Sequence, residues 1–176
     1  MLNFKKKTKK NICLIGLMGS GKSVIGKDLS KIYNFKFLDS DMEIERETGE
    51  TINSIFLNYG EEYFREKEEK VCLKLLDLEN YIISLGGGSI LNKKIREKLN
   101  KNSHSIYLKV EIDILLGRLK NSKKRPLLNN INKREILEKL YKERKIFYNK
   151  ADLIIKNNFN KNEILAKINS SININE

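Results

Sequence analysis

The run Gly-Leu-Met-Gly-Ser-Gly-Lys-Ser at residues 16–23 constrains this chain more than any other segment. It fits the phosphate-binding pattern G-x-x-x-x-G-K-[ST], in which glycines let backbone N–H groups surround phosphate oxygens. In this pattern Lys22 reaches the terminal phosphates of a nucleotide, and the hydroxyl of Ser23 can bind Mg²⁺. The apolar run Ile12–Ile15 precedes it and predicts a strand, and a helical pattern follows. Because a helix N-terminus attracts phosphate, this context favours a nucleotide site over a chance glycine-rich turn. The predicted inner face of the helix contains Val24, Ile25, Leu29, Ile32 and Tyr33.

Five short apolar runs alternate with helical patterns along the chain. Because consecutive parallel strands need right-handed helical crossovers, this alternation predicts a mostly parallel sheet with helices on both faces. The length of 176 residues suits one compact α/β domain, with ligands at the carboxyl ends of the strands. The predicted strands are Ile12–Ile15, Phe35–Leu38, Tyr81–Leu85, Ser105–Leu108 and Asp152–Ile155.

Composition and charge narrow the class of protein. No uncharged run reaches the length of a transmembrane helix, and Cys13 and Cys72 fall at apolar positions, which predicts reduced core thiols in a cytoplasmic protein. The net charge of +12 suggests anionic partners, nucleic acid among them. The lysines are spread along the chain, however, so we expect a small anionic substrate, no membrane or nucleic-acid partner, and a monomer. The cluster in residues 1–10 predicts a solvated basic tail.

Two aspartates, Asp39 and Asp41, follow the second predicted strand. Alternate side chains of extended backbone share a face, which would place both carboxylates on one side, about 7 Å apart. One could hold Mg²⁺, and the other could accept a hydrogen bond or a proton from an attacking hydroxyl. The alternative is that Asp41 only caps a helix beginning near Met42. The phosphate-binding motif one crossover earlier favours the functional interpretation.

Two arginines lie on the apolar faces of predicted helices. Arg65 belongs to a helix over about residues 61–78, and Arg144 to a helix over about residues 133–150. A guanidinium turned inward needs an anion. It either grips a substrate carboxylate or forms an internal salt bridge, for which Glu68 is suitably spaced from Arg65, and the pattern leaves both open. The inner faces contain Val71, Cys72, Leu75 and Leu76, and Ile136, Leu137, Leu140, Tyr141 and Tyr148.

Three further features carry candidate functions. The run Gly86–Gly88 follows the third strand and permits close approach of a ligand, although it could be a simple loop. The polar segment 119–131 contains Arg125 and predicts either a mobile cover that closes over the nucleotide or an ordinary exposed loop. Arg118, before that segment, either stacks on a base or stays in solvent.

This combination of motifs, in this order, resembles the shikimate kinase family of small P-loop kinases. The resemblance covers about residues 10–168. It implies a three-layer α/β/α fold with a five-stranded parallel sheet of order 2-3-1-4-5, a substrate-binding helical region over about residues 41–70, and a lid over about residues 119–131. The motifs are F-L-D-S-D at 37–41, G-E-E-Y-F-R-E-K-E at 60–68, S-L-G-G-G at 84–88, R-P-L-L at 125–128 and E-R-K-I-F-Y-N-K-A at 143–151.

The resemblance also implies transfer of the ATP γ-phosphate to the 3-hydroxyl of shikimate, in the pathway to chorismate and the aromatic amino acids. It implies Mg²⁺ at Ser23 and Asp39, and catalytic roles for Lys22, for Asp41 as the candidate base, and for Arg125. The implied nucleotide-binding residues are Gly19, Ser20, Gly21, Lys22, Ser23, Val24, Arg118 and Arg125. The implied shikimate-binding residues are Asp41, Arg65, Gly86, Gly87, Gly88 and Arg144.

The departures from the family pattern are small. Val24 stands where many members have Thr, and Ser23 retains the metal-binding hydroxyl. The Asn-rich segment at about residues 156–161, where contacts to adenine are expected, resembles nothing closely, and the basic tail has no family counterpart. The nearest alternative is a related kinase that acts on another hydroxylated acid, such as gluconate, and the alternative from another class is a basic nucleic-acid-binding NTPase.

Overall fold

Five parallel strands form the central sheet of the protein. The computed structural model describes residues 2–3, 9–120, 132–156 and 160–173. The order across the sheet is β2-β3-β1-β4-β5, which confirms the predicted order 2-3-1-4-5 and the predicted fold class. Each predicted strand agrees with the structure to within two residues at either end. The strands are β1 (Asn11–Ile15), β2 (Lys36–Asp39), β3 (Tyr81–Ser84), β4 (Ser103–Lys109) and β5 (Leu153–Lys156).

Seven helices surround this sheet in the described part of the chain. A single 3₁₀ turn, Ser89–Leu91, follows the glycine run, and the two-residue strands Leu2–Asn3 and Ile172–Asn173 pair in parallel outside the main sheet. None of the described helices is both long and apolar enough to cross a membrane. The helices are α1 (Lys22–Tyr33), α2 (Ser40–Thr48), α3 (Ile52–Leu75), α4 (Lys93–Asn102), α5 (Ile112–Leu119), α6 (Lys133–Tyr148) and α7 (Lys161–Ser171).

Strand β1 lies at the centre of the sheet and is buried along its whole length. Its side chains alternate, so that Ile12 and Leu14 pack under α1 and α7, whereas Cys13 and Ile15 pack against α2 to α6. This alternation produces the three layers. Because parallel strands end at the same edge, the segments that follow β1, β2 and β3 meet there, and these segments carry the candidate site.

The inner face of α1 differs from the prediction. Ile25 and Leu29 are buried as expected, but Val24 and Ile32 are more than half exposed. Gly26 is buried and packs against the ring of Phe37, where a Cβ would clash with the aromatic carbons. The helix therefore approaches the sheet along the line of Ile25, Gly26 and Leu29, which rotates Val24 and Ile32 away from it.

Helix α3 begins nine residues earlier than predicted and is broken inside. Thr51 caps it, accepting the N–H of Ser54, and Gly60 interrupts it with φ 81° and ψ 178°. The second half matches the predicted helix, and its inner face is buried as expected. Cys13 and Cys72 are free buried thiols, as predicted, and burial raises the pKa of each.

Candidate active site

The loop after β1 forms one end of the site. Gly19 and Gly21 have φ values of 77° and 89°, a left-handed region that favours glycine, and Gly21 is the N-cap of α1. The ammonium group of Lys22 donates to the carbonyl oxygens of Gly16 at 2.8 Å and Leu17 at 3.1 Å, so it lies across the loop. The first turn of α1 thus offers backbone N–H groups and the positive end of a helix dipole beside a lysine, which together suit a phosphate group.

Asp39 connects this loop to helix α2. Its Oδ2 accepts the hydroxyl of Ser23 at 2.6 Å, and its Oδ1 accepts the N–H of Asp41 at 3.1 Å. The prediction of two aspartates in extended backbone is wrong, because α2 already begins at Ser40. The alternative that Asp41 caps the helix is also wrong, since Asp39 is the N-cap. Asp41 instead lies in the first turn of α2, where its carboxylate faces Gly86.

The run Gly86–Gly88 is the surface on which the charged side chains pack. The N–H of Gly86 donates to Ser40 Oγ at 2.8 Å. A Cβ at Gly86 would lie 2.5 Å from Asp41 Oδ1, and a Cβ at Gly88 would lie 2.9 Å from Arg65 Nη2. A side chain at either position would displace the charged end of Asp41 or Arg65, so the glycines allow both side chains to pack against this loop.

Arg65 and Arg144 open onto the same cleft as the phosphate-binding loop. The cleft has a volume of about 680 Å³, and Asp41 lines it together with both arginines. Arg65 pairs with Glu68 at 2.6 Å, and its side chain is 30% exposed, whereas Arg144 is 2% exposed. Arg65 therefore forms the internal salt bridge and also lines the cleft, while the grip on a substrate carboxylate stays a prediction.

Burial and charge act against each other at this end of the cleft. Burial raises the pKa of Glu68, and Asp41 adds to that effect, while Arg65 and Arg144 oppose it. Burial acts to lower the pKa of Arg65, but the charge and hydrogen bonds of Glu68 and Glu61 outweigh it and raise the pKa. Arg65 is therefore a firmly charged cation, and the guanidinium groups of Arg65 and Arg144 lie near the carboxylates of Asp41 and Glu68.

The model of the shikimate kinase family matches residues 18–173 of this chain. The chain belongs to this family. The shikimate kinase of Bartonella quintana is 42% identical over 149 residues, which cover 85% of this chain and 71% of that protein. Shikimate kinase 1 of Yersinia enterocolitica is 43% identical over 150 residues, which cover 84% and 87%. The solved structure of the shikimate kinase from Acinetobacter baumannii in complex with shikimate has a TM-score of 0.88 and 36% identity over 92% of both chains.

These similarities in sequence and structure confirm the membership in the shikimate kinase family that the motifs predicted. Membership in the shikimate kinase family identifies the chain as an ATP-dependent kinase, and the phosphate-binding loop at one end of the cleft agrees with that class.

At the nucleotide end of this shikimate kinase cleft, the remaining predicted residues differ in their exposure. Arg118 donates to the carbonyl oxygen of Gly19 at 3.1 Å and lines the cleft, and burial lowers its pKa. Val24 also lines the cleft, whereas the side chain of Ser20 is fully buried beneath the loop. Arg125 lies outside the described residues, as do residues 121–131 of the predicted lid and residues 157–159 of the adenine-side segment.

Several residues at the site escaped the sequence analysis. Lys161, at the start of α7, lines the cleft and pairs with Asp28 of α1 at 2.9 Å. The hydroxyl of Tyr148 donates to the carbonyl oxygen of Gly87 at 2.6 Å. Lys161 ends the segment 156–161 in which contacts to adenine are expected, but the sequence did not distinguish it from its neighbours. Five more residues line the cleft without having been predicted as site residues: Met18, Glu45, Phe56, Phe64 and Ile164.

Proposed function

We infer that this chain transfers the γ-phosphate of ATP to the 3-hydroxyl of shikimate, giving shikimate 3-phosphate and ADP. One observation carries the inference: Arg65, Arg144 and Asp41 line one end of a single cleft whose other end is the phosphate-binding loop. Shikimate is a six-membered ring that bears one carboxylate and three hydroxyls, so the two guanidinium groups suit its carboxylate and the carboxylate of Asp41 suits a hydroxyl.

The nucleotide end supports binding of a triphosphate. Backbone N–H groups of residues 19–24 and the ammonium of Lys22 would hold the β- and γ-phosphates, since the N-terminus of α1 lies there. Lys22 would neutralise charge that develops on the transferring phosphoryl group. Arg118, held against the loop at Gly19, is positioned to cover the adenine.

Ser23 and Asp39 fit a magnesium ion. Their side-chain oxygens lie 2.6 Å apart beside the phosphate-binding loop, and hydroxyl and carboxylate oxygens are the ligands that Mg²⁺ prefers. Among the described residues there is no group of three or more metal-binding His, Cys, Asp or Glu side chains, so phosphate oxygens and water would have to complete the ligand set. When bound, the ion neutralises and orients phosphate oxygens.

The substrate end supports orientation of shikimate for an in-line reaction. Arg65 and Arg144 would hold the carboxylate, and the backbone of Gly86–Gly88 would contact the ring. Asp41 would accept the hydrogen bond, and then the proton, of the attacking hydroxyl. Most of the rate enhancement would come from this positioning and from charge stabilisation, because phosphoryl transfer passes through a loose transition state.

We further propose that Arg125 approaches the transferring phosphoryl group when the predicted lid over residues 119–131 closes. Closure would exclude water and so suppress hydrolysis of ATP. The expectations of a single domain, a cytoplasmic location and a monomer stay predictions.

The decisive experiment is ADP release measured with ATP and Mg²⁺ in the presence of shikimate, of gluconate, or of neither. We expect turnover with shikimate alone and little ADP release without an acceptor. Formation of shikimate 3-phosphate is checked by ³¹P NMR. Preference for gluconate would replace the proposed substrate. ADP release independent of both acids, but stimulated by single-stranded nucleic acid and suppressed by salt, would indicate a nucleic-acid-dependent NTPase.

A further inference from the structure

Tyr148 lies at the end of α6, directly behind the glycine run of the site. Its side chain is 0% exposed, and its ring stacks on Tyr107 with centroids 4.9 Å apart and planes 19° apart. Its hydroxyl donates to the carbonyl oxygen of Gly87 at 2.6 Å. This phenol therefore connects helix α6 to the loop that follows β3, two parts of the fold that are 61 residues apart in sequence.

Arg144 lies one helical turn before Tyr148 on the same inner face of α6. Arg144 acts to lower the pKa of Tyr148 through its charge and hydrogen bonding, so the guanidinium lies near the phenol. A Cβ at Gly87 would lie 3.4 Å from Arg144 Nη1, so arginine, phenol and glycine form one compact cluster. Arg144 Nε has no hydrogen-bond partner among the residues that the structure describes.

The phenol can serve both neighbours at once only in its neutral form. A hydroxyl donates one hydrogen bond and accepts others, whereas a phenolate could not donate to Gly87. Burial raises the pKa of Tyr148 well above its ordinary value, although Arg144 opposes that shift, so the hydroxyl keeps its proton at neutral pH. A guanidinium that donates to this hydroxyl would polarise it and so strengthen its bond to the carbonyl of Gly87.

We propose that Tyr148 is a positioning residue for the substrate, which accepts a hydrogen bond from Arg144 and donates one to Gly87, and so fixes that arginine relative to the glycine run. The proposal rests on the proposed function, because it assumes that Arg144 binds the carboxylate of shikimate. Tyr148 does not touch the substrate. It restricts the orientations of Arg144 before the substrate arrives, which lowers the ordering cost of binding.

A purely structural tyrosine gives a different expectation. If Tyr148 only filled the core, loss of its hydroxyl would lower the melting temperature and leave the Michaelis constants for both substrates in their original ratio. A positioning role instead raises the KM for shikimate selectively, since the nucleotide is held by α1 and the loop before it. The comparison of the two KM values therefore separates the two roles.

The test replaces Tyr148 by Phe, which keeps the stacked ring and removes the hydroxyl. Tyr107→Phe is the matched control, because it removes the hydroxyl of the neighbouring ring in the same stack. For Tyr148→Phe we expect the KM for shikimate to rise about tenfold, as for loss of a hydrogen bond to a charged group, while the KM for ATP stays within about twofold. Tyr107→Phe should leave both KM values near those of the unaltered enzyme.

A double-mutant cycle with Arg144→Ala tests the connection between the two residues. Once the arginine is absent, Tyr148→Phe should change the KM for shikimate by less than about twofold, since the group that it positions is gone. Full additivity of the two changes would overturn the proposal. So would an unchanged shikimate KM in Tyr148→Phe, or an equal rise of both KM values.

Tyr148→4-aminophenylalanine is a second variant, which tests the same role if Tyr148→Phe does not fold. The aromatic amine still donates toward Gly87 but accepts poorly from Arg144, so we expect a shikimate KM about threefold above that of the unaltered enzyme. A KM equal to that of the unaltered enzyme would contradict the role of the phenol oxygen. Failure of the unaltered enzyme to phosphorylate shikimate would instead refute the proposed function, which keeps the two failures distinct.

Discussion

Arg65 Nη1 lies 2.6 Å from Glu68 Oε2, and the guanidinium of this pair packs directly against the backbone of Gly88. The carboxylate is almost fully buried, whereas the arginine reaches the cleft. The pair therefore joins a buried anion to a cation that lines the cleft. The Nε and Nη2 groups of the same arginine donate to Glu61 Oε1 at 3.2 and 2.9 Å. Such preorganisation is what a bidentate carboxylate site requires.

Replacement of Arg65 by Ala should raise the KM for shikimate by about two orders of magnitude, since it removes a charged contact and leaves Glu68 buried without its cation. The KM for ATP should change little, because the nucleotide end of the cleft is separate. Arg46→Ala is the control, since Arg46 pairs with Glu43 at 2.6 Å on the exposed face of α2. Steady-state kinetics with each substrate varied checks this, and an unaltered shikimate KM would remove Arg65 from the site.

Replacement of Asp41 by Asn should lower kcat by about two to four orders of magnitude, the range for loss of a general base. The amide has the same shape, so the melting temperature should stay near that of the unaltered protein. Glu43→Gln, in the same turn of α2, is the matched neutralisation outside the site. Rapid-quench measurement of the phosphoryl-transfer step checks the prediction, and near-normal turnover would argue against the base role.

Gly88→Ala should impair shikimate binding although it adds only a methyl group. The backbone of Gly88 has φ −87°, which alanine adopts freely, so the effect would come from the methyl group displacing Arg65. We expect a shikimate KM at least about tenfold higher, with the KM for ATP unchanged. Gly117→Ala is the comparison, because a Cβ there meets open space within helix α5. It should be neutral or slightly stabilising. Equal kinetics for the two variants would show that close packing at Gly88 is unimportant.

Asp39→Asn should raise the magnesium concentration needed for half-maximal activity by about tenfold or more, because one anionic oxygen near Ser23 is lost. Asparagine is as good an N-cap as aspartate, so helix α2 should stay intact. Activity titrated with Mg²⁺ at saturating ATP and shikimate checks this. Circular dichroism serves as the control for folding. A magnesium dependence identical to that of the unaltered enzyme would place the ion elsewhere.

His104 should make the fold sensitive to acid. Burial lowers its pKa from 6.5 to about 4, with Lys9 adding to the shift and Asp152 opposing it. Because the pKa of His104 is lower in the folded protein, the neutral imidazole contributes fully to stability above the unfolded pKa of 6.5. That contribution is lost as the pH falls toward 4. Unfolding should then take up one additional proton in this range.

The measurement is the melting temperature from about pH 7.5 to about pH 4.5, compared with that of His104→Gln. The variant should lose less stability on acidification, and it should start lower because glutamine fills the same buried position imperfectly. The chain contains one histidine, so the difference between the two curves reports that residue. Parallel curves would show that His104 does not titrate differently in the folded and unfolded states.

Local pattern was enough to predict most of the architecture. Short apolar runs such as Ile12–Ile15 and Tyr81–Leu85 mark buried parallel strands, because strands covered on both faces need apolar side chains at nearly every position. The order of the motifs identified the family, and the heptad spacing of Arg65 from Cys72 placed the arginine on an inner face. Each apolar run, motif and helical spacing involves residues that are close in the chain, so each can be recognised in a single sequence.

The tertiary structure alone decided which groups meet. The hydrogen bond from Tyr148 to Gly87 and the contact of Gly88 with Arg65 join residues from different helices and loops, and side-chain contact across such separations leaves no periodic trace. Helix α2 likewise begins at Ser40 because Asp39 caps it. Asp39 is therefore a helix cap and Asp41 lies in the first turn, whereas the sequence suggested two alternating residues of a strand. The periodicity of apolar residues shows which face of a helix or strand a residue occupies. Which side chain it contacts on another element is determined by the packing of the whole fold.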